Sequence, residues 1–339
     1  MSKPKHILVI RLSAMGDVAM AVPVLRAFQE QYPDVKLTVL TRAFFAPFFR
    51  DLYNVKVFPV DVKGKHKGVL GLYKLSKELK KLNIDAVADL HNVLRSKILK
   101  FFFLGTKVVQ IDKGRKEKKA LVSGKDFKQL KTTVERYADV FRALGFTVDL
   151  SNPSFPEKRH LNNKIQDIVG KDTKMWIGIA PFAAHESKMY PLDLLKEVID
   201  SLSKKYKILL FGGGKNEIEQ LQKLQDEYES VINIAGKLSF EEEIDLISNL
   251  DVMLSADSGN GHVAAMLGVK VVTIWGVTDP FAGFAPFNQP EHHQLLSDRE
   301  KFPKIPTSIY GNKYPKTYKE AIRSISPETI VNKIDEILS

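Results

Sequence analysis

The segment 255–262 of this 339-residue chain is rich in polar residues and glycine, and it could bind a phosphorylated ligand. This segment brings Asp257, Ser258 and Gly259 together with His262 at the start of a helical pattern. Backbone N–H groups at a helix N-terminus bind anions, and glycine lets the backbone approach a ligand closely. Because Asp257 would repel a phosphate, we expect it to hydrogen-bond a sugar or to cap the helix. An ordinary capped turn with a structural histidine explains the same residues equally.

Lys188 and a run of three glycines from Gly212 follow two other strand-like segments. The lysine could neutralise a diphosphate leaving group as a point charge, although a solvated surface lysine is the common alternative. Gly212 and Gly213 would allow close approach to a nucleotide. Their run lacks the G-x-G-x-x-G and Walker patterns, so on its own it indicates only a tight turn.

Asp17 follows Gly16 where the first strand-like run gives way to a helical pattern. A carboxylate here could act as a general base, or it could simply complement the positive end of a helix dipole. Polar residues after later strands are candidates for binding an anionic acceptor, but they could equally form a solvated face. These candidates are Arg42, His91, Arg95, Lys113 and Arg115. No His, Asp or Glu spacing indicates a metal site.

Alternating strands and helices must position these residues. Short apolar runs predict strands at 6–11, 36–41, 54–60, 85–90, 107–111, 175–180, 207–211, 231–234, 251–256 and 270–275, most of them separated by helical patterns. Such alternation predicts parallel sheets, whose ligands bind beyond the carboxyl ends of the strands. We therefore predict an α/β fold with two Rossmann-like, doubly wound domains, residues 1–160 and 161–325, that face a central cleft. A C-terminal helix over 326–339 follows.

The distribution of charged and apolar residues limits the classes of partner that the chain could bind. Residues 1–160 hold 31 Lys and Arg against 15 Asp and Glu, whereas the remainder holds 20 against 25. The first half is therefore expected to face nucleic acid, anionic lipid or a phosphorylated substrate. The chain has no cysteine, which excludes disulfides and thiolate sites. The most apolar short patch, Lys100–Leu104, is interpreted as the end of a core helix rather than as a membrane wedge.

Several motifs together resemble the lipopolysaccharide heptosyltransferases, glycosyltransferase family 9. The opening Ile-Leu-Val-Ile-Arg-Leu-Ser-Ala-Met-Gly-Asp17 is followed in family order by Asp89-Leu-His-Asn-x-x-Arg-Ser96, Lys188-x-x-Pro191 and Asp257-Ser-Gly-x-x-His262. Tyr190 stands where the family usually has tryptophan, and residues 290–320 match no recognised element.

The resemblance implies a GT-B fold and a metal-independent, inverting transfer of heptose. The donor would be a nucleotide-diphosphate sugar, typically ADP-heptose, and the acceptor the inner core of lipopolysaccharide. Asp17 would be the general base and Lys188 would hold the diphosphate. Asp257 would contact the heptose, while Ser258, Gly259 and His262 would line the phosphate site. The last helix often packs back on the first domain in this family.

The expected setting is a cytoplasmic monomer at the inner face of the bacterial inner membrane, in peripheral contact with anionic lipid and bound to a phosphorylated lipid acceptor. No cofactor and no nucleic-acid partner are expected. Alternatives are another nucleotide sugar used for surface polysaccharide, or a nucleotide-sugar epimerase. A nicotinamide dehydrogenase would need a glycine fingerprint at the first turn, and this sequence lacks one.

Overall fold

The computed structural model describes residues 3–171 and 173–339, which fall into two compact units. The first unit comprises residues up to 113 together with 133–154, and the second comprises 114–132 together with 155–339. The division near residue 154 lies close to the predicted boundary at 160. Residues 114–132 differ from the prediction, because they belong to the second unit.

A five-stranded parallel sheet forms the centre of the first unit. Its strands are β1 (His6–Ile10), β2 (Lys36–Thr41), β3 (Val55–Pro59), β4 (Ala86–Asp89) and β5 (Lys107–Gln110), in the order β3-β2-β1-β4-β5. Every residue of β1 is buried. A central parallel strand is covered by helices on both faces, which explains why this strand is apolar throughout.

The second unit contains a six-stranded parallel sheet. Its strands are β6 (Trp176–Ala180), β7 (Lys207–Leu210), β8 (Val231–Asn233), β9 (Val252–Ala256), β10 (Lys270–Trp275) and β11 (Gln294–Leu296), in the order β11-β10-β9-β6-β7-β8. The short edge strand β11 lies within residues 290–320, a segment for which the sequence suggests no element.

Helices connect these strands. They are α1 (Met15–Ala19), α2 (Ala21–Gln31), α3 (Gly68–Lys80), α4 (Leu94–Phe101), α5 (Arg115–Val122), α6 (Thr133–Leu144), α7 (Asn163–Val169), α8 (Leu192–Leu202), α9 (Lys215–Gln225), α10 (Phe240–Ile247), α11 (Gly259–Met266) and α12 (Pro327–Leu338). None of the helices in the described residues is both long and apolar enough to span a bilayer.

Two layers of helices cover the first sheet. The inner faces of α3 and α4 bury Leu72, Leu75 and Leu99 against the strands. In the second layer, α6 contacts β4 and β5, and α2 packs on α6 through the Phe28 and Phe141 rings, whose centroids lie 4.8 Å apart. Both layers follow from helical periodicity, which places one apolar stripe of each helix toward the sheet.

The interpretation of Lys100–Leu104 as the end of a core helix holds only in part. Phe103 is buried in the core under α4, but Phe101 is 68% exposed and Leu104 is 79% exposed. Phe101 is two positions from the buried Leu99 and therefore lies on the opposite side of α4, whereas Phe103 follows the end of the helix and enters the core.

The last helix, α12, lies in the second unit. It packs on α8, and its Ile330 and Ile334 are fully buried in the core beside Ile199 and Leu202. Asp335 accepts a hydrogen bond from the Tyr206 hydroxyl at 2.8 Å. The family resemblance places this helix on the first domain, whereas the structure places its apolar stripe in the core of the second unit.

Truncation of Ile334 tests this placement. The substitution Ile334→Ala should lower the free energy of unfolding by about 2–5 kcal/mol, because it leaves a cavity beneath α12. Urea denaturation measures the change. The exposed neighbour Asn332→Ala is the matched control, and its effect should stay within about 0.5 kcal/mol. Equal stabilities for the two variants would contradict the assignment of α12 to this core.

Candidate active site

Arg11 and Asp17 form an ion pair beyond the carboxyl end of β1. The buried Arg11 guanidinium donates from Nη1 to the Leu90 carbonyl at 2.7 Å, and its Nη2 lies 2.5 Å from Asp17 Oδ2. The guanidinium also lies 5.6 Å from the centre of the Tyr137 ring. Three groups thus fix the arginine, and the arginine in turn fixes one carboxylate oxygen.

Asp17 sits in the first turn of α1, and its side-chain contacts fall on one carboxylate oxygen. Its Oδ2 accepts from the Ala14 N–H at 3.2 Å as well as pairing with Arg11, and its side chain is 31% exposed. The Tyr137 hydroxyl donates to the Asp17 carbonyl at 3.3 Å. Burial raises the pKa of Tyr137, so this hydroxyl keeps its proton. Within the described residues, Oδ1 has no hydrogen-bond partner.

Asp89, the last residue of β4, organises the neighbouring loop. Its buried carboxylate accepts from the His91 and Asn92 N–H groups at 3.0 and 2.8 Å and pairs with Lys100 Nζ at 2.6 Å. His91 Nδ1 in turn accepts from the Leu12 N–H at 3.4 Å. These contacts tie the loop after β4 to the loop that carries Asp17.

His91 is uncharged in this setting. Burial is the main cause that lowers its pKa to about 4, and the positive charges of Arg11 and Lys113 lower it further. His91 is therefore neutral at physiological pH and adds no positive charge for an anionic acceptor.

The other four candidates for binding an anionic acceptor follow different strands or begin different helices, and they differ in exposure. Arg42 is half-buried after β2, with its guanidinium carbon 4.8 Å from the centre of the Phe45 ring. Arg95 is exposed in the first turn of α4, and Lys113 is half-buried at the end of a first-unit segment. Arg115 is exposed at the start of α5, which the structure assigns to the second unit.

In the second unit, Asp257 lies between Lys188 and Thr278. Its Oδ2 is 2.9 Å from Lys188 Nζ and accepts from the Thr278 hydroxyl at 2.9 Å. The Lys188 side chain is only 13% exposed and that of Asp257 only 10%. The two charges compensate each other at low exposure, where an unpaired charge would be costly.

Two glycines bring Lys188 to this position. A Cβ added at Gly276 would lie 2.1 Å from the Ser187 carbonyl oxygen, so only glycine admits the Lys188 segment this close to the end of β10. Gly311 has a φ of +74° and touches the stem of Lys188, and its carbonyl accepts from the Ser187 hydroxyl at 2.5 Å. Part of the unrecognised segment 290–320 therefore holds the lysine in place.

Helix α11 begins two residues after Asp257. Ser258 is its N-cap, with an extended backbone, and Gly259 is its first residue; in the part of the chain that the structure describes, no helix N–H donates to the Ser258 side chain. The Ser258 hydroxyl lies 3.3 Å from that of Ser255. His262, in the same helix, is buried. The first N–H groups of α11 and one hydroxyl thus lie beside the Lys188–Asp257 pair.

The glycine run lies between β7 and α9. The Gly213 N–H donates to Glu217 Oε2 at 2.7 Å, and the side chains of Leu221 and Glu217 pack close to Gly212. One N–H group of the glycine turn is thus already bonded to a side chain of the helix that follows it. Within the described residues, no group of three or more His, Asp or Glu could hold a metal ion.

Several residues that build these two sites were not among the candidates that the sequence provided. Arg11 stands inside the motif that ends at Asp17, so that motif was the available signal. Thr278 follows β10 and lies outside the motifs given above. Tyr137 and Gly311 lie far from the motifs along the chain, and no local pattern marks them.

Two parallel α/β units with polar residues at their strand ends form a GT-B fold, as predicted. The same fold occurs in a solved glycosyltransferase family 9 structure from Veillonella parvula, with a TM-score of 0.76, 22% identity, and coverage of 98% of this chain and 97% of that one. It also occurs in an Escherichia coli heptosyltransferase solved with ADP, with a TM-score of 0.69, 21% identity, and coverage of 98% and 99%.

The chain belongs to glycosyltransferase family 9 (heptosyltransferase), whose family model matches residues 72–312. It is 27% identical to a lipopolysaccharide core heptosyltransferase of Haemophilus influenzae, over 84% of this chain and 82% of that protein. It is 23% identical to a lipooligosaccharide heptosyltransferase 2 of Campylobacter jejuni, over 95% and 96%. The resemblance found in the sequence is therefore confirmed.

The neutral state of His91 predicts a pH effect on stability. The unfolded chain protonates this side chain near its ordinary pKa of 6.5, whereas the folded chain does so only near 4. The stability that His91 contributes is thus present above 6.5 and is lost as the pH falls toward 4. Imidazole proton NMR, assigned with His91→Gln, should show no titration of this resonance above about pH 5.5. A midpoint near the ordinary value would contradict this assignment.

Proposed function

We propose that this chain transfers heptose from ADP-heptose to a phosphorylated, lipid-linked inner-core acceptor of lipopolysaccharide, with inversion at the anomeric carbon. Family membership supports the reaction class. The observation that carries the proposal is the Lys188–Asp257–Thr278 cluster at the start of α11. Among solved neighbours of the fold is an E. coli heptosyltransferase with ADP-2-deoxy-2-fluoro heptose.

The second unit supplies the donor site in this proposal. The free N–H groups at the start of α11 carry partial positive charge and suit a diphosphate. Lys188 Nζ lies beside them and offsets the negative charge that the leaving group gains in the transition state. Ser258 adds a hydroxyl donor, while Gly259 and His262 line the same end of the helix. Gly212 and Gly213 would border the nucleotide.

A carboxylate beside a phosphate would ordinarily repel it, but Asp257 has a role in this proposal both before and after the donor binds. In the absence of donor it neutralises Lys188, and the Thr278 hydroxyl orients it. When the diphosphate takes over part of the lysine's charge, the Asp257 oxygens become free to accept hydrogen bonds from sugar hydroxyls. A nucleotide sugar presents both groups side by side.

The first unit supplies the base. Asp17 Oδ1 would accept the proton of the acceptor hydroxyl while the oxygen of that hydroxyl attacks the anomeric carbon of the donor sugar. The new carbon–oxygen bond forms on the face opposite the departing diphosphate, so the configuration inverts. Arg11 holds Oδ2 and thereby orients the carboxylate toward the hydroxyl. The proton ends on Asp17 and the electron pair leaves with the diphosphate.

Cationic residues would hold the acceptor's phosphates. Arg42, Arg95 and Lys113 offer positive charge in the first unit, and Arg115 offers it from the second. Neutral His91 would act as a hydrogen-bonding group. The proposed setting is a monomer at the cytoplasmic face of the inner membrane, in peripheral contact with it. The nucleotide sugar serves as co-substrate, without a metal cofactor.

Replacement of Asp17 tests the base. Asp17→Asn should cut the rate of heptose transfer at least ~100-fold while leaving ADP affinity unchanged, because the amide cannot take the proton. Transfer is measured with ADP-heptose and a deacylated, water-soluble core acceptor. The exposed Asp34→Asn is the matched control and should transfer normally. Near-normal turnover of the Asp17 variant would remove this residue from the role of base.

Nucleotide affinity tests the donor site. Wild-type protein should bind ADP more tightly than UDP in calorimetry, and Lys188→Ala should weaken ADP binding at least ~10-fold through loss of a charge-assisted contact. Adding Asp257→Asn to that variant should restore part of the affinity, because it removes the uncompensated negative charge. Exposed Lys204→Ala is the control. Unchanged ADP affinity in Lys188→Ala would place the donor site elsewhere. Tighter binding of UDP than of ADP would indicate a donor with uracil in place of adenine.

A further inference from the structure

Large apolar side chains are exposed on two neighbouring helices of the first unit. Among the described residues, six of the eleven exposed large apolar side chains fall between residues 69 and 104. They are Val69, Leu70, Tyr73, Leu94, Phe101 and Leu104. Scattered single residues of this kind are ordinary, but a concentration on adjacent elements marks an interaction surface.

Helical geometry makes these residues one surface. Helices α3 and α4 pack side by side with their inner faces buried, so the remaining stripes point to solvent. The Tyr73 ring on α3 lies 5.5 Å from the Phe102 ring, which lies 6.0 Å from the ring of Phe101 on α4. Aromatic contacts therefore join the two helices across their boundary.

Positive charge surrounds the apolar side chains. Residues 63–104 hold ten Lys and Arg against three Asp and Glu. The three acids are already engaged: Glu78 pairs with Lys65 at 2.8 Å, Asp89 pairs with Lys100 at 2.6 Å, and Asp85 accepts from the backbone N–H groups of Lys5 and His6.

The cations are interleaved with the apolar residues. Leu70, Tyr73, Lys74 and Lys77 follow helical spacing on α3, as do Leu94, Lys97 and Phe101 on α4. Lys77 Nζ lies 4.8 Å from the centre of the Tyr73 ring. These seven residues and Leu104 are called the α3–α4 face below.

We propose that the α3–α4 face docks the protein onto an anionic lipid bilayer. Its apolar side chains would enter the boundary between headgroups and acyl chains, while its lysines would contact lipid phosphates. A second copy of the chain fits less well, because two such faces would bring like charges together. The inference extends the proposed function, since a bilayer would present a lipid-linked acceptor, but it rests on surface residues outside both sites.

Vesicle co-sedimentation of the full chain tests the proposal. In about 0.1 M salt, where the Debye length is about 10 Å, the protein should bind phosphatidylcholine vesicles containing phosphatidylglycerol but not phosphatidylcholine alone. The combined Leu70→Ser, Phe101→Ser and Leu104→Ser variant should bind at least ~10-fold more weakly, because it loses the buried apolar area. A separate Lys74→Gln, Lys77→Gln and Lys97→Gln variant should lose binding similarly, because it loses the attraction to lipid phosphate.

Matched controls separate the face from general effects. Tyr53→Ser, Met175→Ser and Leu296→Ser together remove exposed apolar area elsewhere, and Lys204→Gln with Lys223→Gln remove exposed charge elsewhere. Both controls should bind like wild type, and all variants should keep the unfolding temperature of wild type. Equal vesicle binding by the face variants and wild type would overturn the proposal.

Two further readouts keep the outcomes distinct. A wild-type dimer in light scattering that the apolar variant converts to monomer would assign the face to a second copy and overturn lipid docking. Transfer to the deacylated acceptor should be equal in wild type and both face variants. If none of them transfers heptose yet wild type still binds anionic vesicles through this face, the proposed function fails and the docking surface stands.

Discussion

Parallel strands impose the constraint on which both candidate sites depend. Every loop that follows a strand of a parallel sheet emerges at the same edge, so residues distant in sequence meet there. In the first unit this edge gathers the loop of Asp17 after β1 and the loop of His91 after β4. In the second unit it gathers Lys188 after β6, Asp257 after β9 and Thr278 after β10. Neither constellation exists without the sheet.

Each site then pairs one carboxylate with one cation and holds one carboxylate oxygen with additional donors. Asp17 takes Arg11 and a backbone N–H on a single oxygen, and Asp257 takes Lys188 and the Thr278 hydroxyl. Both cations have low exposure, so removing either carboxylate is costly because it leaves a buried positive charge uncompensated. The same contacts fix the orientation of each carboxylate.

The two units also differ in their electrostatics. The first holds 22 Lys and Arg against 12 Asp and Glu, whereas the second holds 29 against 28. The excess of positive charge therefore stays with the first unit after residues 114–132 are assigned to the second. It is concentrated over α3 and α4, beside side chains such as Leu70 and Phe101 that the fold leaves in solvent.

Local patterns in the sequence were sufficient for the elements and the family. The strand runs from His6, Lys36 and Lys270 were predicted nearly to their ends, since apolar periodicity depends only on neighbouring residues. The motifs around Asp17 and Asp257 led to glycosyltransferase family 9, and the family model confirms it. Long-range packing was harder to predict, as α12 illustrates: an apolar stripe shows that a helix is covered, but not by which core.

By itself, the sequence determined the α/β alternation, the order of the motifs, the positive excess of the first half and the family. Only the tertiary structure decided that Arg11 pairs with Asp17, that Thr278 and Gly311 position the Lys188–Asp257 cluster, and that Arg115 belongs to the second unit. It also decided that Phe101 is exposed while Phe103 is buried. The reason is physical: periodicity and turn chemistry act over a few residues, whereas these contacts join segments brought together only when the sheets assemble and the helices close over them.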